Sequence, residues 1–323
     1  VLYYIGKRLL SGLLVFVIVI IFTFSLQYFV QHGALAPAYL LCAQHLTHSC
    51  LYTTELRYGL NQPYFVRLWD YFSGILFHFN LGPSYTGTIS TVQGILKTYI
   101  PRTFWLAFVS LFFSILIAIP LGVWQAWKRN SRFDYIATGV VFVFYATPAF
   151  VLGTVLIGAF AVGWPHLPDS PIQGNHDWGI FTNPNGFILP VVALVVLSVA
   201  GLSRYMRSGV IDVVVQDYIR TARAKGCSTR QILFNHALRN ALNSIVTIIG
   251  LSIPGLLSGA LIIEVTFNYA GLGFETLNAA TLFETPVVLG ITIVVTALTV
   301  LGNFLADIAL VFVNPRIRIE GAA

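Results

Sequence analysis

Charge is what this sequence has least of. Lys, Arg, Asp and Glu together make up 9% of it, against about 25% in soluble domains. So few charges cannot cover 323 residues with a solvated surface. That excludes an ordinary soluble protein and leaves the bilayer as solvent. Catalytic signatures are absent as well. The chain has no GxxxxGK loop ending in Ser or Thr, no HExxH and no GxSxG. It has no paired nucleophile and base inside an apolar run, which removes the basis for an intramembrane enzyme. An ion-coupled carrier would want several embedded carboxylates and an inverted repeat. The sequence has no repeat, and Asp307 is the one clearly embedded acid.

What the sequence does have is hydrocarbon, at 57% hydrophobic residues. Six apolar runs are long enough to cross about 30 Å as helices. They are 9–30, 103–127, 135–163, 186–205, 243–267 and 286–313. None alternates with a period of two, so a barrel is not indicated. The first run is too long for the apolar part of a signal peptide, and no small-residue cleavage site ends it. We read it as a retained span. The expected organisation is an N-terminal segment and first helix at 1–30, an external region at 31–102, and helices two to six at 103–313. Residues 314–323 form the tail. "RYGLNQPYFVRLWDYF" offers one short amphipathic helix after Pro63 within the external region.

Basic residues orient these spans. Of 18 Lys and Arg, four (Arg57, Arg67, Lys97 and Arg102) fall in loops on one side, and the rest fall on the other. The positive-inside rule puts both termini and the basic side in the cytoplasm. The net charge of +6 is therefore a topology signal and calls for no nucleic acid. Cys42 and Cys50 lie outside with seven residues between them, a short loop that a disulfide closes cheaply; two free thiols are the alternative. Cys227 is cytoplasmic, small and reduced. His45 and His48 could share a helix face and hold a metal, but solvated loop histidines are the simpler reading, and no metal site is expected.

The most basic stretch is "QDYIRTARAKGCSTRQILFNHALRNA", from Gln216 to Ala241. Its first part favours helix. Gly226 offers the left-handed conformation that ends one. Ser228 with Gln231 three residues on is a capping box for the next. Ala222 and Ala224 are small, so another protein surface could approach the first helix closely. Prolines in "YATPAF" and "LSIPGLLSG" mark Tyr145, Thr147, Pro148, Ser252, Pro254 and Ser258 as candidates for a polar pathway, with simple bends equally open. Glu264 is expected at headgroup level, and Asp307 as a structural partner of an interfacial Arg.

That basic stretch resembles the EAA loop of ABC-importer membrane subunits. Arg220, Thr221 and Ala222 fill the EAA place, Gly226 the glycine, and His236 to Arg239 the closing four; the usual Glu and Pro are absent. In detail it looks like the B-type permeases of dipeptide and oligopeptide importers. "YIGKRLL", "YGLNQP", "NLGPSY", "AGLGFETL" and "VNPRIR" agree with this. "QHGALAP" and the Cys42–Cys50 segment depart from the family pattern near the outer surface.

The resemblance implies an all-α membrane protein of the type I importer kind, six helices with a long external loop after the first, in a bacterial cytoplasmic (inner) membrane. Within the 212–241 loop it assigns ATPase coupling to Asp217, Tyr218, Arg220, Thr221, Ala222, Arg223, Ala224, Lys225 and Gly226, with His236, Leu238 and Arg239. Gly271 and Gly273 take structural roles. The implied partners are a second similar permease, one or two ATP-binding subunits, an extracytoplasmic substrate-binding protein and membrane lipids. The chain itself would hold no cofactor, since ATP and Mg belong to the ATPase subunits. Nickel chelates, glutathione or haem, and export of a peptide or amine, remain open as alternatives.

Overall fold

The computed structural model describes residues 2–30, 38, 42, 47–78, 80–85, 89, 91–162, 184–238, 240–241 and 260–313. In chain order the helices are α1 (Leu2–Val30), α2 (His48–Tyr58), α3 (Tyr64–His78), α4 (Val92–Trp127), α5 (Arg132–Ala146) and α6 (Ala149–Leu156, continued as π-helix by Ile157–Val162). Next come α7 (Pro184–Val214), α8 (Asp217–Ala224) and α9 (Thr229–Gln231, continued as π-helix by Ile232–Leu238). The last are α10 (residues 260–266), α11 (Leu272–Thr281) and α12 (Thr285–Val313). No strand occurs among the described residues; a single bridge pairs Pro83 with Thr91.

Segments within α1, α4, α7 and α12 are each long and apolar enough to cross a membrane, and α5 with α6 makes a fifth if counted as one broken span. The fifth apolar run of the sequence, 243–267, lies mostly outside the described residues. The side chains on these helices suit lipid: Leu10 and Phe22 are each 66% exposed. A helical segment whose backbone bonds are all internal can present such residues to hydrocarbon at no polar cost.

The helices overrun the apolar runs. α4 begins at Val92, eleven residues before the expected 103, and at 36 residues is about 54 Å long. Thr91 Oγ1 accepts the Gly94 N–H at 3.3 Å, a helix-starting cap. Val92, Ile95 and Leu96 are then buried against Val287 and Ile291. Lys97 and Arg102 ended the hydropathy window but not the helix. α7 likewise runs on to Val214, past Arg204 and Arg207. The expected span at 135–163 is broken: α5 and α6 meet at Thr147 and Pro148 with a bend of 103°. Thr147 is extended (ψ 124°), the conformation imposed on a residue before proline.

The chain forms two compact units. One comprises Lys7–Arg102 and Ala270–Val300; the other comprises Val1–Gly6, Thr103–Tyr269 and Leu301–Ala323. The first has a core of Val92, Ile95 and Leu96 with Leu272, Ala279, Val287 and Ile291. The described part of its 31–102 region carries α2 and α3 where one short helix was expected. Thr47 caps α2, and Cys42 is bonded to Cys50 with Cα atoms 6.0 Å apart. In the second unit α7 packs against both α5 and α6. Its main core joins Leu106, Phe187, Leu189 and Leu194 to Ile263, Phe267 and Tyr269.

Candidate functional site

α8 and α9 form an elbow. Gln216 is the N-cap of α8, with Asp217 in its first turn and Arg223 in its last, both complementing the helix dipole. The helix ends in a Schellman motif: the Gly226 N–H donates to Arg223 O at 3.0 Å and the Cys227 N–H to Ala222 O at 3.1 Å. Gly226 has φ +80°, and a Cβ placed there would meet nothing within 4 Å. The demand for glycine is therefore conformational, with no steric component. The capping box closes reciprocally. The Ser228 N–H donates to Gln231 Oε1 at 3.0 Å, and the Gln231 N–H to Ser228 Oγ at 3.3 Å.

The two arms are held together and held down. Ile219 and Ala222 of α8 are buried against Ile232 of α9, with Val213 and Cys227 alongside. Ala222 thus faces the elbow's own small core and is not open to a foreign surface, which corrects the sequence reading of that residue. Ala224 is exposed, with Arg220, Thr221, Arg223 and Lys225. Arg220 makes only an exposed contact with Asp217, at 3.4 Å. Asn240 Nδ2 donates to Tyr218 Oη at 2.6 Å. In the second arm Leu233, Ala237 and Ala241 are buried with Val123 of α4 and Met206 and Val210 of α7, and Leu238 packs beside them. His236 lies in this arm's backbone; its side chain and all of Arg239 fall outside the described residues.

At the bend, Tyr145, Thr147 and Pro148 are brought together at the end of α5. Thr147 Oγ1 donates to Val143 O at 2.7 Å, recovering a hydroxyl bond locally. Ser252, Pro254 and Ser258 lie outside the described residues. α7 grips α5 with two arginines one turn apart. Arg204 lies over the rings of Phe142 (4.5 Å) and Tyr145 (4.6 Å). Arg207 forms a bidentate pair with Asp134, Nε to Oδ1 and Nη2 to Oδ2, both 2.8 Å. Asp134 also accepts the Asn130 N–H at 3.0 Å, while its own N–H donates to Ser131 Oγ at 3.3 Å. The "SRFD" capping signature was the signal that could have found it.

Other buried polar groups were not legible. Glu264, expected at headgroup level, is fully buried and accepts from Thr103 Oγ1 at 2.6 Å. Glu284 is buried and accepts from Ser84 Oγ (2.7 Å) and the Tyr85 N–H (3.1 Å). Glu275 on α11 is held above the usual carboxylate range by burial. Gly271 caps α11 and Gly273 is buried in it. The Asp307 side chain lies outside the described set. Among the described residues no three His, Cys, Asp or Glu converge as a metal site; His45 is outside them.

Comparisons with known proteins agree with this architecture. Residues 118–319 match the family described as "Binding-protein-dependent transport system inner membrane component", and residues 1–106 match its N-terminal counterpart. The oligopeptide transport system permease protein AppB of Bacillus subtilis is 37% identical over 81% of this chain and 83% of its own length. The oligopeptide permease protein OppB of Haemophilus influenzae is 32% identical over 98% of this chain and 99% of its own length. The dipeptide permease protein DppB of Escherichia coli K12 is 34% identical over 80% and 83%. Among solved structures, an inward-facing form of the MetNI methionine ABC transporter superposes with a TM-score of 0.54 at 19% identity, covering 69% of this chain and 97% of the other. That likeness concerns the fold alone.

Proposed function

This chain belongs to the family of binding-protein-dependent transport system inner membrane components, and from that premise we propose that it is the peptide permease subunit of an ABC importer. It is a multi-pass membrane protein and forms half of the pathway for di- and oligopeptides. The peptide names of its relatives support that cargo over nickel chelates, glutathione, haem or export. Six crossings are the natural count once the apolar run at 243–267 is added to the five helical spans. A second permease would complete the pathway, a substrate-binding protein would deliver peptide, and ATPase subunits would supply hydrolysis.

The observation that carries the coupling role is the elbow: a short helix with an exposed basic face, locked at both ends and rooted between α4 and α7. A push on α8 would pass into two spanning helices and not dissipate in a loop. The exposed face narrows the contact residues to Arg220, Thr221, Arg223, Ala224 and Lys225. Ala224→Trp, which touches none of the elbow's core, should abolish co-purification of the ATPase subunits while leaving the chain in the membrane. Gly226→Val should weaken it, since a β-branched residue in a left-handed conformation costs roughly 1–2 kcal/mol. If Ala224→Trp assembled and supported peptide-stimulated ATP hydrolysis like the parent, α8 would not be the docking helix.

Orientation follows from the basic residues. A reporter fused after Lys128 or Arg230 is expected to read cytoplasmic, and one at Thr53 external. A cytoplasmic reading at Thr53 would invert the assignment.

A further inference from the structure

The unit formed by Lys7–Arg102 and Ala270–Val300 contains a cavity of about 450 Å³, within the range that encloses small organic ligands. Its wall is aromatic and its polar groups are incompletely used. Gln27 Oε1 from α1 and Tyr71 Oη from α3 are both buried, and neither has a hydrogen-bond partner among the described residues. Arg67, also from α3, lies over the Tyr28 ring at 5.1 Å, and no acceptor from the described residues reaches its guanidinium. Burial pulls Arg67 below its ordinary value, only partly offset by Tyr85 and Tyr28. Tyr85, facing it, is pushed up to about 12 by burial, so its hydroxyl stays a neutral donor. Asp70, one turn beyond Arg67, lines the same cavity and forms no ion pair with it.

The lining therefore offers separated charges of both signs, one buried acceptor, phenolic donors and ring faces. A buried polar atom left without a partner costs about 1–3 kcal/mol, and here two such atoms border one space that also holds a desolvated cation. A plain anion would satisfy Arg67 and Tyr71 but would leave Gln27 Oε1 without a donor and would face Asp70. A plain amine would do the reverse. A zwitterion satisfies both sets.

We propose that this cavity is a binding site for a small zwitterion, an amino acid or short peptide. Its carboxylate is received by Arg67 and Tyr71, and its ammonium by Gln27 Oε1 and Asp70. None of its lining residues belongs to the bend at Thr147 and Pro148 or to the α8 elbow. The choice of peptide as ligand rests on the permease reading, whereas the zwitterion chemistry rests on the cavity alone.

The test is equilibrium binding of the dipeptide Ala-Phe to the full-length chain in nanodiscs of uncharged lipid, without any binding protein. Saturable binding is expected for Ala-Phe and for phenylalanine. It should weaken about ten-fold or more in Arg67→Met, and by a smaller factor in Tyr71→Phe, which removes only the hydroxyl. Arg67→Lys should restore part of it. C-terminal amidation or N-acetylation of the dipeptide should each lower affinity. Binding that Arg67→Met and Tyr71→Phe leave unchanged would overturn the proposal. So would inorganic phosphate competing as well as the dipeptide, or no saturable binding by the folded parent chain. Loss of peptide uptake by the assembled transporter with this binding intact would instead count against the permease reading.

Discussion

Asp134→Ala should destabilise the protein by about 3 kcal/mol and lower its melting temperature by several degrees. Asp134 is 4% exposed and holds Arg207 through two 2.8 Å bonds. Breaking a buried pair from one side costs about 3–5 kcal/mol because a charge is left behind. The lower end applies here, because Arg207 is 29% exposed and retains some access to water. The same substitution frees the Asn130 N–H that Asp134 accepts, which weakens the start of α5. Arg207→Ala should cost a similar amount, and the double variant clearly less than the sum of the two. The measurement is a double-mutant cycle on thermal melting in detergent. Additivity within about 0.5 kcal/mol would mean that the pair does not hold α5 to α7.

Gly122→Leu is expected to be worse, and to keep the protein from accumulating in folded form. A Cβ at Gly122 would lie 2.6 Å from Met206 Cβ, 2.6 Å from the Ser203 backbone oxygen and 3.0 Å from the Arg207 nitrogen. Carbon contacts settle near 3.5–4.0 Å, and backbone cannot step aside as a side chain can. α4 and α7 would have to separate by about 1 Å, opening the core around Val123 and Met206 that also roots the elbow. Even Gly122→Ala should cost about 1–3 kcal/mol. Gly139 is the internal control: it lies in the middle of α5 with nothing within 4 Å of a Cβ, so Gly139→Ala should be neutral or slightly stabilising. Monodisperse yield and melting temperature read both. A Gly122→Leu protein that melts like the parent would show that α4 and α7 do not need this close approach, which membrane helices commonly achieve through small residues.

How far the sequence could be read depends on how local each feature is. The elbow was legible because its parts sit within a few residues: Gly226 after a helix-prone run, then Ser228 with Gln231. The direction of Ala222 was not, because it is set by Ile232 folding back ten residues later. Apolar runs marked the long helices that the structure describes, yet missed where they end. A hydropathy window stops at Lys97 or Arg204, while backbone hydrogen bonding continues through them. Of Pro120, Pro148 and Pro190, all within apolar runs, only Pro148 breaks its helix. Pro190 rides within α7 and Pro120 within α4. A proline removes one N–H, and whether the helix then bends depends on what takes up the freed carbonyl. The partners of the buried acids were hidden because they are distant: Asp134, Glu264 and Glu284 find them 73, 161 and 200 residues away along the chain.

The distance between Asp134 and Arg207 also has a consequence for synthesis. Asp134 leaves the ribosome 73 residues before its counter-ion. At about 5–20 residues per second that is roughly 4–15 s. Throughout this interval Asp134 lacks Arg207, so the ion pair that holds α5 to α7 cannot form until α7 arrives. The order of translation thus delays the docking of α5 on α7 by those seconds. A nascent chain stalled before Arg207 would be an early substrate for membrane quality control.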